Sequence, residues 1–274
     1  MKSFKTKIVL LFTSLFIVAF LGLTITTYSI SARTIEAEVM SSIENVAYQG
    51  AKIVQSRLNA ELASLETLAA LPEIYDSSVP MEKKLAILKK EAEHKGHIRM
   101  GIADANGIME CTDDTTIDVK SRVYYIKSME GKSSVSDPIV SIHNGSVIIC
   151  FGVPIKENGK VVASLIAVRQ GTTLSDVVND ITFGQSGRAF VINKDGTTIA
   201  HYDSEQVLNM VNAIESSKED ASYKSIAEFE QQMLQGNKGS GRYTYDGVNY
   251  IAGYAPVEGM DWYLALSAPE DSVL

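Results

Sequence analysis

A chain of 274 residues with 45% hydrophobic and 21% charged residues can bury a sizeable core, as one large or two small domains. Its net charge of -8 offers no footprint for nucleic acid. The two cysteines, Cys111 and Cys150, lie in apolar strand-like runs, which suits buried thiols; a disulfide outside the cell is the alternative.

Residues 8–30, IVLLFTSLFIVAFLGLTITTYSI, carry no charge. At ~1.5 Å per helical residue they reach ~34 Å, enough for a ~30 Å hydrocarbon core, and predict a transmembrane helix with membrane lipid as its partner. Lys2, Lys5 and Lys7 precede the run, while Arg33, Glu36 and Glu38 follow it. The positive-inside bias therefore puts residues 1–7 in the cytoplasm as a short tail and residues 31–274 outside the cell membrane. A cleaved leader is the rival reading; the apolar run exceeds the ~7–15 residues of a signal core, which favours an uncleaved anchor.

Residues 31–96 hold a spine and a second helix. From Ser31 to Leu71 there is no proline, and Ile35, Val39, Ile43, Val46, Ile53, Leu58, Leu62, Leu65 and Leu68 recur at helical steps, which predicts one long amphipathic helix on or close to the membrane span. Such a helix can carry the domains that follow and form the seam of a homodimer. Pro72 ends it, and Pro80 opens MEKKLAILKKEAEHKG, whose charges mark a solvated face.

After Gly96 the period shortens. IRMGIADANGIMECTDD predicts a hairpin about Asn106-Gly107; a helix from Tyr124 to Met129 follows, and SVIICFGVPI with KVVASLIAVR forms a second hairpin about Asn158-Gly159. The order then returns: GRAFVINKDGTTIAHYD is a hairpin with an Asp-Gly turn, YKSIAEFEQQMLQG a helix, and the stretch from Arg242 supplies the closing strands. A repeat of roughly 90 residues fits two tandem copies of one domain rather than a solenoid. The fold class is thus α+β: one transmembrane helix, a long amphipathic helix, then two tandem antiparallel-sheet modules, residues 97–180 and 181–274.

The phrase RVYY…GKSSVSDP, the strand-proline pattern FGVPI, and DITFGQSGRAFVINKDGTTIAH after a long post-membrane helix together resemble the double Cache sensor domain, with two PAS-like folds, of bacterial chemoreceptors, sensor histidine kinases and membrane diguanylate cyclases. The resemblance runs from Ser31 to Leu274. It implies a receptor ectodomain whose membrane-distal module, 97–180, binds a small molecule. By that resemblance Arg122 holds a ligand carboxylate, Tyr124 and Tyr125 close over it, and Asp137 takes an amino group. The chemistry suits a zwitterion, because a bidentate guanidinium and a carboxylate under aromatic cover grip both its ends.

The sequence departs from the full amino-acid pattern. Ile117 and Val135 stand where tyrosines are expected, Tyr124 stands in place of a tryptophan, and Arg169 is nearest where a second acid belongs. Two arginines fit an organic acid or a neutral metabolite better than a simple amino acid, so amino acid, amine and organic acid stay open. Each residue also has a plainer reading: Arg122 paired with Asp118, one of the adjacent tyrosines in the core, Asp137 as a turn residue before Pro138, Arg169 on the surface. In the second module the tyrosines from Tyr243 to Tyr263 read as core packing, with a second pocket as the lesser alternative.

Catalysis has no constellation to stand on. His94, His97, His143 and His201 lack metal-ligand spacing, the cysteines form no CxxC pair, and neither a GxSxG elbow nor a phosphate loop occurs, so no metal, cofactor or enzyme activity is expected. A structural or dimerising ectodomain is the remaining alternative. No cytoplasmic signalling module is present within these residues; Leu274 is expected to end a fragment ahead of a further span, a short protein acting through a partner being the other reading.

Overall fold

The computed structural model describes residues 4–274. Helix α1 (Phe4–Ala69) runs unbroken for 66 residues, about 100 Å at ~1.5 Å per residue, so the apolar run and the spine are one rod. Of the expected tail, residues 1–7, Met1, Lys2 and Ser3 lie outside the described residues, and the remainder is the first turn of this rod. Residues 8–30 are wholly exposed, and the rod's most apolar window has a mean hydropathy of 2.7, so the segment is long and apolar enough to cross a membrane.

The rod meets the rest of the protein through Ile43, Ala47, Ala51, Val54, Leu58, Leu62, Leu65 and Ala69, buried at steps of three or four residues. Ile35 and Ile53, expected on this stripe, stay exposed. Small residues, Ala47 and Ala51, continue the stripe past Ile43, where backbone approaches backbone: a Cβ at Gly253 would meet the Glu44 nitrogen at 2.5 Å and strike the Ile43 carbonyl. Pro72 starts the single turn α2 (Pro72–Tyr75), and α3 (Met81–Lys95) ends on Gly96, whose φ of +73° closes it in the left-handed conformation.

The first module is an antiparallel sheet of β1 (Arg99–Ala103), β2 (Ile108–Cys111), β3 (Thr116–Asp118), β4 (Ser134–Val135), β5 (Ile139–Val140), β6 (Val147–Glu157) and β7 (Lys160–Gln170), with α4 (Val123–Met129) between β3 and β4. Its order is β3-β2-β1-β7-β6-β4, with β5 also paired to β6. The β6–β7 hairpin turns through Asn158 and Gly159 at φ +52° and +79°, the left-handed pair that a tight hairpin needs.

The second module repeats the path. After α5 (Thr173–Asn179) come β8 (Thr182–Phe183), β9 (Gly187–Asn193) and β10 (Thr198–His201). The single turns α6 (Ser204–Leu208) and α7 (Ala213–Ser216) precede α8 (Lys224–Met233), and β11 (Gly239–Tyr245), β12 (Val248–Val257) and β13 (Trp262–Pro269) complete the sheet. The order is β10-β9-β13-β12-β11, so β9 lies against β13 as β1 lies against β7. Helix α5 packs on β9 and β10, alongside the second sheet.

Strand alternation divides each sheet. The inner faces, with Ile102, Leu165 and Ala167 in the first module and Val191, Leu264 and Leu266 in the second, share one continuous core with α1. The outer faces form separate small cores, one under α4 with Tyr124, Cys150 and Val168, the other under α8 with Phe190, Phe229 and Tyr243.

Cys111 on β2 and Cys150 on β6 are separated by β1 and β7. Three strand steps of ~4.8 Å place them ~14 Å apart, beyond the ~7 Å limit of a disulfide, and both are free and buried. Burial pushes the Cys150 thiol up to about 11, so it stays protonated at neutral pH.

Candidate ligand-binding site

On the outer face of the first module, α4 is anchored at both sides. The Tyr125 hydroxyl donates to the Asp104 carbonyl at 2.8 Å, tying the helix to the β1–β2 turn. On the other side Gly152 lets it lie against β6, where a Cβ would stand 2.6 Å from the Tyr124 carbonyl oxygen. Neighbouring helical positions point ~100° apart. Tyr125 is thus spent on the turn, and Tyr124 faces β6 and Cys150 from the inside.

Arg122 precedes α4 with an extended backbone (φ -82°, ψ 131°) and makes no capping hydrogen bond to the helix with its side chain. It is half-buried, and among the described residues its guanidinium has no ion pair. Asp118 accepts instead from the Lys120 backbone N–H at 2.9 Å.

Two spaces share the wall made by Arg122, Tyr124 and Ile139. The inner one, between α4 and β5 and floored by Met109, Cys150 and Val168, is about 30 Å³, room for a water or two. Buried Arg99 lines it but is occupied, with Nη1 3.1 Å from both the Asp113 carboxylate and the Thr115 hydroxyl. The outer one is a groove of about 560 Å³ that runs from α4 across residues 132–137 to the second module at Lys194 and Met260 to Trp262. Arg122, Lys127, Lys132 and Lys194 outnumber Asp137 and Asp261 on its walls, so its charge is positive.

Asp137 lies in this groove with both carboxylate oxygens engaged by the second module. Oδ1 accepts from the Trp262 indole N–H at 2.6 Å, and Oδ2 from the Asn193 side-chain amide at 2.8 Å. Asn193 is itself fixed, because its Oδ1 accepts from the backbone N–H groups of Asp195 and Thr197 at 3.0 and 2.9 Å. The carboxylate therefore latches one module to the other.

The sequence reading grouped five residues, and the structure brings Arg122, Tyr124 and Asp137 to one groove. It does not bring Tyr125, which is held by Asp104, nor Arg169. Val168 faces the inner space, so its neighbour on β7 must face the other way. Arg169 meets α1 there, with Nη2 3.1 Å from the Glu61 carboxylate, which also lies 3.2 Å from His97 Nε2. The hydrogen bond from His97, helped by the charge of Arg169, holds the Glu61 carboxyl below its ordinary range despite burial. Sequence reasoning missed Trp262 and Asn193, since nothing local marks residues 125 and 56 positions from their partner.

The chain has relatives among sensory proteins. The Cache domain family matches it over residues 31–274. Among curated proteins, the methyl-accepting chemotaxis protein McpA of Pseudomonas putida is 21% identical over 277 residues, covering 98% of this chain and 40% of its own length. The chain thus spans about two fifths of that relative. Among solved structures, the ligand-binding domain of the Pseudomonas fluorescens chemoreceptor CtaA in complex with L-isoleucine superposes with a TM-score of 0.69 at 19% identity, covering 89% of this chain and 97% of that one. The ligand-binding domain of the Pseudomonas aeruginosa amino acid chemoreceptor PctB in complex with L-Arg gives 0.65 at 18% identity, with 86% and 97% covered.

Proposed function

The chain belongs to the Cache domain family, and on that premise we propose that it is the extracytoplasmic ligand-sensing part of a bacterial transmembrane receptor of the chemoreceptor kind. Residues 8–30 anchor it, and residues 31–274 lie outside. The ligand is a small metabolite bearing a carboxylate, held in the groove by Arg122, with Tyr124 as the apolar wall and Asp137 at the far side.

One observation carries this reading: Arg122 is a half-buried cation with no ion pair among the described residues, on the wall of a groove of about 560 Å³. A guanidinium so placed grips a carboxylate bidentately, and partial exclusion of water strengthens the contact. The related domains solved with L-isoleucine and L-Arg support a zwitterion as the basic shape. The surplus of cations and the prior engagement of Asp137 shift the preference here toward ligands with more carboxylate than amine, organic acids included.

Signalling follows from the latch. A ligand held by Arg122 lies beside the Asp137 latch at the seam between the modules, and any preference for one seam geometry shifts the population of that state. A factor of ten needs ~1.4 kcal/mol of differential affinity. The unbroken rod α1, packed on both sheets, carries the displacement toward the membrane. A homodimer along α1 belongs to the same proposal, supported by Ile35 and Ile53, which stay 51% and 46% exposed.

The test is calorimetric titration and thermal shift of the 274-residue chain in nanodiscs against L-amino acids and small organic acids. A ligand at 100 times its dissociation constant adds ~2.7 kcal/mol of stability. Binding is expected to fall by roughly a hundredfold in Arg122→Ala, the scale of truncating one partner of a desolvated charge pair. A hit of undiminished affinity in that variant would overturn the assignment.

A further inference from the structure

The outer face of the second module encloses a cavity of about 620 Å³ between the sheet, α8 and the segment that follows β10. Aromatic side chains form part of its walls. Phe190 comes from β9, Tyr243 and Tyr245 from β11 and Tyr250 from β12, with Tyr202 at the rim, 59% exposed. Tyr243 and Tyr250 stack at 5.0 Å between ring centroids. Polar side chains share the lining, among them Arg188, His201 and Gln206, and α8 adds a carboxyl group, Glu230.

Glu230 is 2% exposed, and its Oε2 has no hydrogen-bond partner among the described residues. Helix α8 buries Ala227, Phe229, Glu230 and Met233, so the acid occupies a position its neighbours fill with apolar side chains. Packing alone gives no reason for it: an unpaired buried carboxylate costs several kcal/mol. Burial pushes its carboxyl up to about 8. Arg188, the one guanidinium on the cavity wall, donates to the backbone carbonyl of Gly187 at 2.9 Å and forms no ion pair with Glu230 among the described residues. Asp203 and Asp246 add further negative charge around the opening.

We propose that this cavity is a second ligand site, separate from the groove at Arg122, which takes an organic cation of the protonated-amine class with Glu230 as counter-ion and the tyrosine rings as its walls. With the cavity empty the acid holds its proton near neutral pH; a bound cation stabilises the carboxylate, which releases that proton to solvent and gains its missing partner, and tyrosine faces attract the cation further through their ring quadrupoles. The volume falls in the range of small-molecule sites, ~300–1,000 Å³. Each module would then recognise a different charge, a carboxylate above and an ammonium below.

Thermal shift and calorimetry on the 274-residue chain in nanodiscs test this with benzylamine, putrescine and ethanolamine as probes and benzyl alcohol as the neutral control. At least one cation is expected to raise Tm where benzyl alcohol does not. The isosteric Glu230→Gln weakens that cation by roughly tenfold or more, and Tyr202→Ala at the rim weakens it severalfold. Arg122→Ala leaves it unchanged, which separates this site from the groove. The proposal is overturned by silence from all three cations, by an equal effect of benzyl alcohol, by an effect that survives both cavity variants, or by one abolished in Arg122→Ala.

Discussion

The two modules have the same strand path and the same relation to α1, yet their outer faces differ in nearly every respect. Beneath α4 the first is closed down to about 30 Å³, and its usable space is the positive groove that reaches the neighbouring module. Beneath α8 the second keeps about 620 Å³ open within one module, lined by tyrosines and a carboxylate. The lesson is that the inner faces are constrained by a shared rod and must stay alike in size. The outer faces carry no such constraint, so recognition is free to diverge there.

The largest expected effect tests the shared part. Gly253→Ala drives a Cβ into the backbone of α1 at Ile43 and Glu44, which no rotamer change relieves, and is expected to lower stability by about 3 kcal/mol or more by thermal unfolding. Gly152→Ala, which lifts α4 from β6 in the first module, is expected to cost less, about 1–3 kcal/mol, because α4 is short and lies on the outer face. Equal losses would break the distinction between a constrained inner face and a tolerant outer one.

An effect of similar size, which depends on pH, concerns Glu230. Its carboxyl rises from 4.5 in the ordinary state to about 8 when folded, so the folded chain holds the proton more tightly. Stability from this group is therefore full below pH 4.5 and is lost as pH rises through about 8, at up to ~1.4 kcal/mol per pH unit between those values. His201, packed nearby, is shifted down by burial and acts in the opposite direction at lower pH. The comparison of wild type with Glu230→Gln in chemical unfolding at pH 5 and pH 8 isolates the acid. A difference that does not grow with pH would show that the carboxylate is solvated, leaving the two outer faces more alike than described.

A smaller effect belongs to the seam. Trp262→Phe keeps an aromatic side chain, smaller than the buried indole, and removes the donor to Asp137, leaving a carboxylate oxygen without its 2.6 Å partner. A loss of about 1–2 kcal/mol is expected, together with faster hydrogen exchange in β4 and in the β9–β10 turn. The smallest effect is a null one. Cys111 and Cys150 should resist thiol reagents in the native chain and react only on unfolding, since burial raises both thiols.

Much of this was readable along the chain. The apolar run 8–30, the steps of three and four through α1, the Asn106-Gly107 and Asn158-Gly159 turns and the repeat of hairpin, helix and hairpin are local periods or local conformational needs. Elements of two to five residues, such as β4, β5 and α6, escaped because so few residues show no period. Arg122 and Tyr124, grouped through the family resemblance, do line one groove. The side of the sheet that Arg169 takes was not legible, because that depends on the phase of β7 against Val168.

The sequence by itself determined which segments are rod, strand and turn, and that one module is written twice, because backbone periodicity is a property of consecutive residues. Only the tertiary structure decided what those segments enclose: Asp137 against Trp262 and Asn193, Arg169 against Glu61, and an acid left alone among tyrosines. A cavity or a latch is a relation between surfaces that meet across many intervening residues, and strand register with helix placement sets it to within the length of one side chain.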